Sequence, residues 1–412
     1  MTKSGLDRAG QDDIPTLWKE NKWIGTFRSS NKPCKTRFLT LSQFQPFSLL
    51  NPFVYLPAPS TLTNFWRIGS ILGLCLKSQL VTGLLLSSYY RSSLESAFSR
   101  VLIITSESSY GWVIRFSHAN GASVLFFLIF THVARGLYFN SPRFPHVWFS
   151  GLILLIGFIG VAFLGYVLPW GQISFWGATV ITSLVSTVPY WGSDLVTLLW
   201  GGFSVGAPTL SRFFAFHFLI PWVLAALVIG HLAALHEQGS SNPLGLTLDA
   251  DKIPFTPYFV IKDLIAISLL ITVWGGLCCW APWWLGDADN FLPANPIVTP
   301  EHIKPEWYFL FAYSILRAIP NKLGGVLGLL ASLLVLTLGP LVRNPRSSVI
   351  KSGLSKGLFW SWASIWVLLG WAGGKPVEAP YVSVRQALRV RYFTLLVCFW
   401  LSLYRVMTSP KL

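Results

Sequence analysis

Eight long apolar stretches, separated by polar links, dominate the hydropathy pattern of this chain. Each is long enough for an α-helix to cross a bilayer, which takes about 20 residues. The pattern therefore predicts an all-α integral membrane protein with eight transmembrane helices and both termini on one side. The predicted spans are Phe65–Tyr89, Trp112–Phe139, Val147–Trp170, Arg212–His236, Phe259–Trp284, Leu323–Val342, Leu358–Gly374 and Gln386–Val406.

Two of these spans carry histidine pairs with the same spacing. His118 and His132 are fourteen residues apart, and so are His217 and His231. Fourteen helical residues make about four turns and a rise of roughly 21 Å, so both imidazoles of a pair lie near one face at two depths. Because one span separates these two helices, they run in the same direction. His118 is then level with His217, and His132 with His231.

Two level imidazole pairs predict two bis-histidine haem sites stacked through the membrane, because haem iron accepts axial histidine ligands. A single histidine in a span is also explained by an interhelical hydrogen bond. The repeated spacing favours the metal.

Glycines on two other spans repeat the same interval. Gly69 and Gly83 are fourteen residues apart, as are Gly151 and Gly165. A flat macrocycle between helices needs positions without a side chain, which glycine provides. Ordinary close helix packing is the alternative for each glycine alone. The shared interval predicts a four-helix haem-binding bundle.

Arginines accompany the histidines. Arg115 precedes His118 by three residues and Arg135 follows His132 by three, so each lies on its histidine's face. Their guanidinium groups suit haem propionates. Snorkelling of the arginines at the span ends is the alternative.

Composition excludes a soluble protein, because 53% of the 412 residues are hydrophobic and only 11% are charged. The net charge of +15 is spread over tails and loops without a basic stripe. It indicates membrane orientation and lipid contact, with no nucleic acid as partner. The link containing Arg343, Arg346, Lys351 and Lys356 predicts that the N-terminal side faces the matrix or cytoplasm. A second basic group, on the opposite side, weakens this inference; it comprises Arg385, Arg389 and Arg391.

The five cysteines form neither a C-x-x-C-H motif nor a ligand quartet. Any haem is therefore expected to be non-covalent, and any iron–sulfur cluster to belong to another chain. Residues 1–60 are polar and basic and predict an N-terminal arm ahead of the haem bundle, 61–240, and a C-terminal four-span domain, 241–412.

Two long links on the side opposite the N-terminus, 171–209 and 285–322, are rich in Trp, Pro and Gly and predict ordered, functional loops. The second contains Glu306 between Pro305 and Trp307. A carboxylate beside an apolar pocket can accept a proton with a raised pKa. A loop carboxylate in water is the alternative.

On the N-terminal side, His236, Lys262 and Asp263 are predicted to cluster at the ends of adjacent spans. They supply a donor, an acceptor and a proton carrier at a membrane surface. An interfacial salt bridge is the alternative.

At these residues the chain resembles mitochondrial cytochrome b, the core subunit of ubiquinol:cytochrome c oxidoreductase (respiratory complex III). The resemblance spans about 56–392. Four stretches carry it: YGWVIRFSHANGA at 110–122, GYVLPWGQ at 165–172, RFFAFH at 212–217 and PEWY at 305–308.

The resemblance implies a role for each candidate residue. His118 and His217 would ligate the low-potential haem b, and His132 and His231 the high-potential one. Residues that pack the haems or hold their propionates would be Gly69, Gly83, Gly151, Gly165, Arg115 and Arg135. The quinol-oxidation site would contain Glu306, Tyr308, Tyr166 and Tyr313. The quinone-reduction site would contain His236, Ser240, Lys262 and Asp263.

The resemblance also implies the setting. Ubiquinol and ubiquinone would be substrates, and the partners would be a Rieske iron–sulfur subunit, a c-type cytochrome subunit and other complex III subunits. The assembly would be a homodimer in the mitochondrial inner membrane. Electrons would cross between the haems with proton release on one side and uptake on the other.

The chain differs from the cytochrome b pattern in three places, and two other classes of membrane protein are alternatives. The N-terminal arm has no usual counterpart, Ser117 stands where Met is common, and Lys77 replaces an apolar residue. Cytochrome b6 is the nearest rival, but it splits the last spans onto another chain. A transporter without haem explains the hydropathy but not the phased histidines and glycines.

Lys77 lies midway along the first span, where a cation costs about 2.5–3.5 kcal/mol on insertion scales. Its helical position points away from the line through Gly69 and Gly83. We therefore predict that Lys77 binds neither haem nor quinone. Its predicted partner is a helix backbone carbonyl, a lipid headgroup reached by snorkelling, or an acidic residue of a neighbouring subunit.

Overall fold

A computed structural model of the chain describes residues 56–245, 251–342 and 353–408. The N-terminal arm up to residue 55 and the basic link at 343–352 lie outside the described residues. The described part is almost entirely helical and has one two-stranded sheet, so the predicted all-α membrane class is confirmed. The predicted boundary between a haem bundle and a C-terminal domain stays a prediction.

The helices follow the apolar stretches of the sequence. In chain order they are α1 (Ile68–Ser87), α2 (Ala97–Ser106), α3 (Gly111–Tyr138), α4 (Pro145–Val167), α5 (Gln172–Ser183), α6 (Gly192–Trp200), α7 (Ala207–Gln238), α8 (Tyr258–Trp280), α9 (Leu310–Arg317), α10 (Lys322–Leu334), α11 (Gly353–Gly373) and α12 (Tyr381–Thr408). Short 3₁₀ helices cover Asn64–Arg67, Ser141–Arg143, Leu184–Thr187, Ala288–Phe291, Trp307–Phe309 and Val335–Val342.

Six described segments are long and apolar enough to cross a membrane: Asn64–Ser87, Gly111–Tyr138, Pro145–Val167, Ala207–Glu237, Tyr258–Trp280 and Lys322–Val342. The other two predicted spans are present as helices α11 and α12. Tryptophans in α11 and arginines in the first half of α12 lower their hydropathy. That these two helices cross the membrane stays a prediction.

Serine and threonine hydroxyl groups inside the spans donate hydrogen bonds to backbone carbonyls of their own helix. Thr82 Oγ1 donates to Ser78 O at 2.7 Å, Thr131 Oγ1 to Phe127 O at 2.8 Å and Thr272 Oγ1 to Ser268 O at 3.0 Å. No water is available in the bilayer core, so each polar group needs a partner within the protein. Serine and threonine therefore interrupt the apolar stretches without breaking the helices.

Helices α1, α3, α4 and α7 form the bundle that contains the histidines. Helix α1 packs along α3, and α4 packs along α7. Gly111 starts α3 next to the end of α2, where a Cβ would collide with the carbonyl oxygen of Ile104. Pro221 lies inside α7, where its ring removes a backbone hydrogen bond and favours a kink.

The antiparallel strands β1 (Pro57–Pro59) and β2 (Lys252–Pro254) join the chain ahead of α1 to the link between α7 and α8. This pairing places both segments on the N-terminal side. On the opposite side, the two long links contain α5, α6 and α9. The prediction that these links are ordered is therefore confirmed.

Two arginines of α12 cap other helices. Arg385 is buried and donates to the carbonyl oxygens of Lys375 at 3.1 Å and Pro376 at 3.2 Å, just after α11. Arg389 donates to Ala318 O, at the end of α9, at 3.2 Å. Cations at helix C-termini satisfy unpaired carbonyls and interact favourably with the helix dipole. Capping thus explains two of the three arginines on the side opposite the N-terminus, and the predicted orientation stays a prediction.

Candidate functional site

The four phased histidines point into the bundle from α3 and α7. The rings of His118 and His217 lie with their centroids 6.1 Å apart and at 89° to each other. His132 and His231 interact electrostatically, and Arg135 acts on both. The structure thus brings together the two pairs that the fourteen-residue spacing predicts.

The Nδ1 atoms of three of the four rings are held by uncharged protein oxygens. Thr82 Oγ1 lies 2.9 Å from His118 Nδ1, Ser150 Oγ lies 2.8 Å from His231 Nδ1, and Val161 O lies 2.8 Å from His217 Nδ1. An Nδ1–H that donates to such an oxygen leaves Nε2 as the lone-pair atom. Nε2 is the atom of these rings that is available to an iron ion.

His132 differs because its Nδ1 lies 3.2 Å from the Nη2 atom of Arg135. A guanidinium group only donates, so this contact leaves the ring proton on Nε2. His132 can bind iron through Nε2 only after Arg135 has released Nδ1. An anion placed beside Arg135 would favour that release.

Each phased glycine lies against one histidine ring. A Cβ at Gly83 would be 3.0 Å from His118 Cε1, and one at Gly151 would be 3.2 Å from His231 Cε1. A Cβ at Gly69 would be 3.8 Å from His132 Cε1, and one at Gly165 would collide with the His217 ring. The glycines therefore leave the rings the room that they need beside the backbones of α1 and α4.

Arg115 and Arg135 lie among apolar residues, and no carboxylate among the described residues forms an ion pair with either guanidinium group. Arg115 Nη1 reaches Thr105 Oγ1 at 3.5 Å, and the Arg135 guanidinium lies 5.6 Å from the centre of the Trp66 ring. The buried Nε atom of Arg135 has no hydrogen-bond partner among the described residues. Such donors fit the carboxylates of a haem.

These features fit a porphyrin better than a bare metal. No group of three or more His, Cys, Asp or Glu side chains that could hold a metal ion occurs in the described ranges. Two imidazoles suffice where a macrocycle supplies the remaining ligands of iron. The donor set, the glycines and the unpaired guanidinium nitrogen all fit haem.

One apolar cavity of about 400 Å³ extends from the first histidine pair to the loop carboxylate. Its wall includes His118, His217 and Gly165 as well as Glu306 and Tyr308. A volume in this range suits small-molecule ligands. A molecule bound beside Glu306 would share the cavity with a cofactor held by His118 and His217.

Glu306 is half-buried and accepts a hydrogen bond from the Tyr166 hydroxyl. Burial raises the pKa of Glu306 to about 7, against the lowering effect of that hydrogen bond. Asp287 raises this pKa further, and Lys304 lowers it. The carboxyl group can therefore take up and release a proton near neutral pH.

Aromatic rings hold the segment that carries Glu306. Tyr308 is buried and stacks on Phe126 of α3, with centroids 4.2 Å apart and planes 5° from parallel. Trp307 Nε1 donates to Ser123 Oγ at 3.2 Å. The loop is thereby fixed to the helix that carries His118 and His132.

Tyr313 has a different position from the other tyrosines of this predicted site. Tyr166 and Tyr308 line the cavity, whereas Tyr313 is not part of its wall. The Tyr313 hydroxyl donates to Ile303 O at 3.1 Å, and its ring lies 5.1 Å from the Arg317 guanidinium. These contacts make Tyr313 a support of the loop ahead of Pro305.

The second group of candidates lies on the N-terminal side. His236 and Ser240 are exposed at the end of α7, and Lys262 is exposed in the second turn of α8. Asp263 is half-buried and lies beside the Ser70 hydroxyl of α1, with the Arg67 guanidinium nearby. Arg67 Nη1 also donates to Lys262 O at 3.0 Å.

Comparison with known proteins decides the family. Residues 53–239 match the family model cytochrome b/b6/petB, and residues 293–393 match the model cytochrome b(C-terminal)/b6/petD. The chain belongs to the cytochrome b family. A solved structure described as "Hyperthermophilic respiratory Complex III" is similar over 89% of this chain and 98% of its own, with a TM-score of 0.83 and 28% sequence identity.

Membership of the cytochrome b family establishes the coarse function. The chain is a multi-pass membrane electron-transfer subunit that binds haem b and works within a multi-subunit redox complex. The predicted resemblance to the cytochrome b family is therefore confirmed.

Three residues that contact the candidate sites were missed by sequence reasoning. Thr82 and Ser150 each directly precede a phased glycine, on α1 and α4, and hold histidines of other helices. Arg67 reaches the backbone beside Asp263 across 195 residues of sequence. The sequence could have identified Thr82 and Ser150, because they adjoin the phased glycines Gly83 and Gly151. No sequence feature identifies Arg67.

Proposed function

We propose that this cytochrome b family member is the quinol-oxidising and quinone-reducing subunit of complex III in the mitochondrial inner membrane, with two non-covalent haems b. The observation that carries the proposal is the single cavity joining His118 and His217 to Glu306. Electron and proton acceptors thereby meet at one bound molecule. The match of the C-terminal family model on the same chain supports complex III over a split cytochrome b6.

His118 and His217 would hold one haem through Nε2, and His132 and His231 the other. Each bound haem supplies a centre that accepts and passes on one electron at a time. Thr82, Val161 and Ser150 orient three of these imidazoles through Nδ1. Arg115 and Arg135 would neutralise the propionates.

Glu306 would accept a proton from ubiquinol at a carboxylate oxygen, and Tyr166 would orient that carboxylate. The aromatic walls around Tyr308 exclude water from the cavity and favour an apolar quinol ring. His236, Ser240, Lys262 and Asp263 would bind and protonate ubiquinone on the other side. Tyr313 would support the quinol-oxidation loop.

This reaction needs partner subunits. The described residues contain no cluster of metal-ligating side chains that could hold an iron–sulfur centre. A Rieske subunit would take the first electron from the quinol and pass it to a c-type cytochrome subunit. Other complex III subunits, lipids and a second copy in a homodimer would complete the assembly.

The purified complex should contain two haems b per copy of this chain, both extractable by acidic acetone. Bis-imidazole ligation without thioether bonds leaves each haem free to dissociate when acid protonates its ligands. The pyridine haemochrome absorbance per chain measures the number of haems. A value of one haem per chain, or haem retained on the polypeptide, would disprove the two-haem proposal.

Replacing Arg67 by glutamine should slow quinone reduction by up to about fivefold, because the attraction between the Arg67 charge and the nearby Asp263 is worth up to about 1 kcal/mol at a half-exposed site. Arg67→Lys keeps the charge and should retain most of the rate. The measurement is reduction of the second haem by added quinol with the quinol-oxidation site blocked. Arg91→Gln, an exposed arginine beyond the other end of α1, is the matched control. An equal loss in both glutamine variants would argue against a role for Arg67.

A further inference from the structure

Lys77 lies in the middle of α1 and on its outward face. At 100° per residue, Lys77 points about 180° away from Ile68 and about 120° away from Gly83. Its side chain is exposed, and it is not part of the wall of the cavity that includes Gly83. The residues of α1 that are buried in the fold lie on the other side of the helix; they are Ile68, Ile71, Cys75 and Leu76.

No described residue pairs with the Lys77 ammonium. Among the described spans, no acidic side chain is available at that depth either. The acidic residues within the described apolar spans are Glu237, at the end of α7, and Asp263, near the start of α8. A second copy of the chain would therefore not supply a carboxylate at the level of Lys77.

The Lys77 side chain is too short to bring its ammonium group to a lipid headgroup by snorkelling. Lys77 is nine residues from the start of α1 and ten from its end, which places it roughly 14–15 Å from either end. The hydrocarbon core is about 30 Å thick, so Lys77 lies near its midplane. The four-carbon stem of lysine is much shorter than the distance to either headgroup layer.

The surface around Lys77 suits a neighbouring helix. A Cβ at Gly73, one turn away, would have no heavy atom within 4 Å. Val81 and Leu84, on the next turns, are 52% and 50% exposed. Transmembrane helices pack closely where small residues let the backbones approach, and charged residues in spans pair with one another.

We propose that this face of α1, formed by Gly73, Lys77, Val81 and Leu84, is the docking surface for a transmembrane helix of another subunit of the complex. An Asp or Glu at mid-depth of that helix pairs with the Lys77 ammonium. The partner is a different polypeptide because the copies of this chain carry no acid at that depth in their described spans. At Leu84 this face borders the wall of the cavity, whereas Lys77 is not part of that wall.

A membrane-permeant carbodiimide tests the pair in the native, assembled complex. The reagent couples an ammonium group to a carboxylate in contact with it, with loss of water, and peptide mass spectrometry identifies the amide. We expect a cross-link from Lys77 to an acid within a membrane helix of another subunit. Lys304 and Asp287, whose charged atoms are 3.2 Å apart, serve as the internal positive control.

Two results would overturn the proposal. One is Lys77 without a cross-link, or bearing only lipid, in a sample where Lys304 and Asp287 are joined. The other is a cross-link from Lys77 to a second copy of this chain. Because the experiment uses the unaltered complex, neither result depends on the folding of a variant.

Variants provide a second measurement. Lys77→Met should release the partner subunit from the purified complex, whereas Lys77→Arg should retain it, as should Leu85→Met, a matched substitution at an exposed residue of α1 outside this face. Lys77→Glu combined with a lysine at the identified acid should restore binding. Retention of every subunit in Lys77→Met would contradict the proposal. The haem absorbance should stay unchanged in all of these variants.

Discussion

Gly165→Ala should reduce the haem content from two haems per chain to one, with loss of the haem held by His118 and His217. A methyl group at residue 165 would collide with the Cε1 atom of His217 and lie 2.9 Å from both ring nitrogens. The ring would have to leave the position in which Val161 O holds Nδ1. Reduced-minus-oxidised spectra at two potentials would show which haem is lost.

Gly160→Ala is the matched control for this substitution. Gly160 lies on the same helix, and a Cβ there would have no heavy atom within 4 Å. Alanine favours the helix over glycine by about 1 kcal/mol at either position. Destabilisation of α4 would therefore not explain a loss of haem that occurs only in Gly165→Ala. Normal haem content in Gly165→Ala would show that the His217 ring does not need this space.

Glu306→Gln should slow quinol oxidation by about 10²-fold or more, because a positioned general base contributes roughly 10²–10⁴ to a rate. Glutamine keeps the size of the side chain and its contact with Tyr166 but cannot accept the proton. The haems and the quinone-reduction reaction should be unaffected. Stopped-flow reduction of the haems by a quinol, measured at each site separately, tests this expectation.

The pH dependence provides a separate check on Glu306. Burial raises the pKa of Glu306 to about 7, so the group is mostly protonated at a pH well below this value and mostly ionised well above it. Only the ionised form accepts a proton, so the rate should rise as the pH passes through this pKa and then level off. This rise should be absent in Glu306→Gln.

Glu301→Gln is the control for both measurements. Glu301 lies in the same loop, but its side chain is 90% exposed. Its substitution should change neither the rate nor its pH dependence. A similar loss in both variants, or an unaltered pH profile in Glu306→Gln, would remove Glu306 from the proton path.

Sequence alone was sufficient where the determining physics is local. Helical geometry places residues fourteen apart on nearly one face, so the spacing of His118 and His132 predicted their common direction without knowledge of the fold. Hydropathy likewise predicted the helices, because every residue of a span meets the same apolar solvent. Hydropathy did not predict helix α2, because this helix is too short to cross a membrane.

Tertiary structure decided how these elements meet. The glycine interval predicted space for a macrocycle between helices. Only the packing of the helices shows that Gly83 lies against His118 and Gly165 against His217. The family resemblance implied that Tyr313 lies near Glu306 in one site, whereas in the structure the Tyr313 hydroxyl donates to the loop backbone at Ile303 O. The capping role of Arg385 was also hidden, because its carbonyl partners follow the preceding helix.

The sequence by itself thus determined the membrane class, the helices and the residue types suited to haem and proton chemistry. Only the tertiary structure decided that Glu306 shares a cavity with His118, and that Arg67 approaches Asp263. Contacts between residues nearly two hundred positions apart depend on how helices cross and pack. Local periodicity contains no information about that geometry.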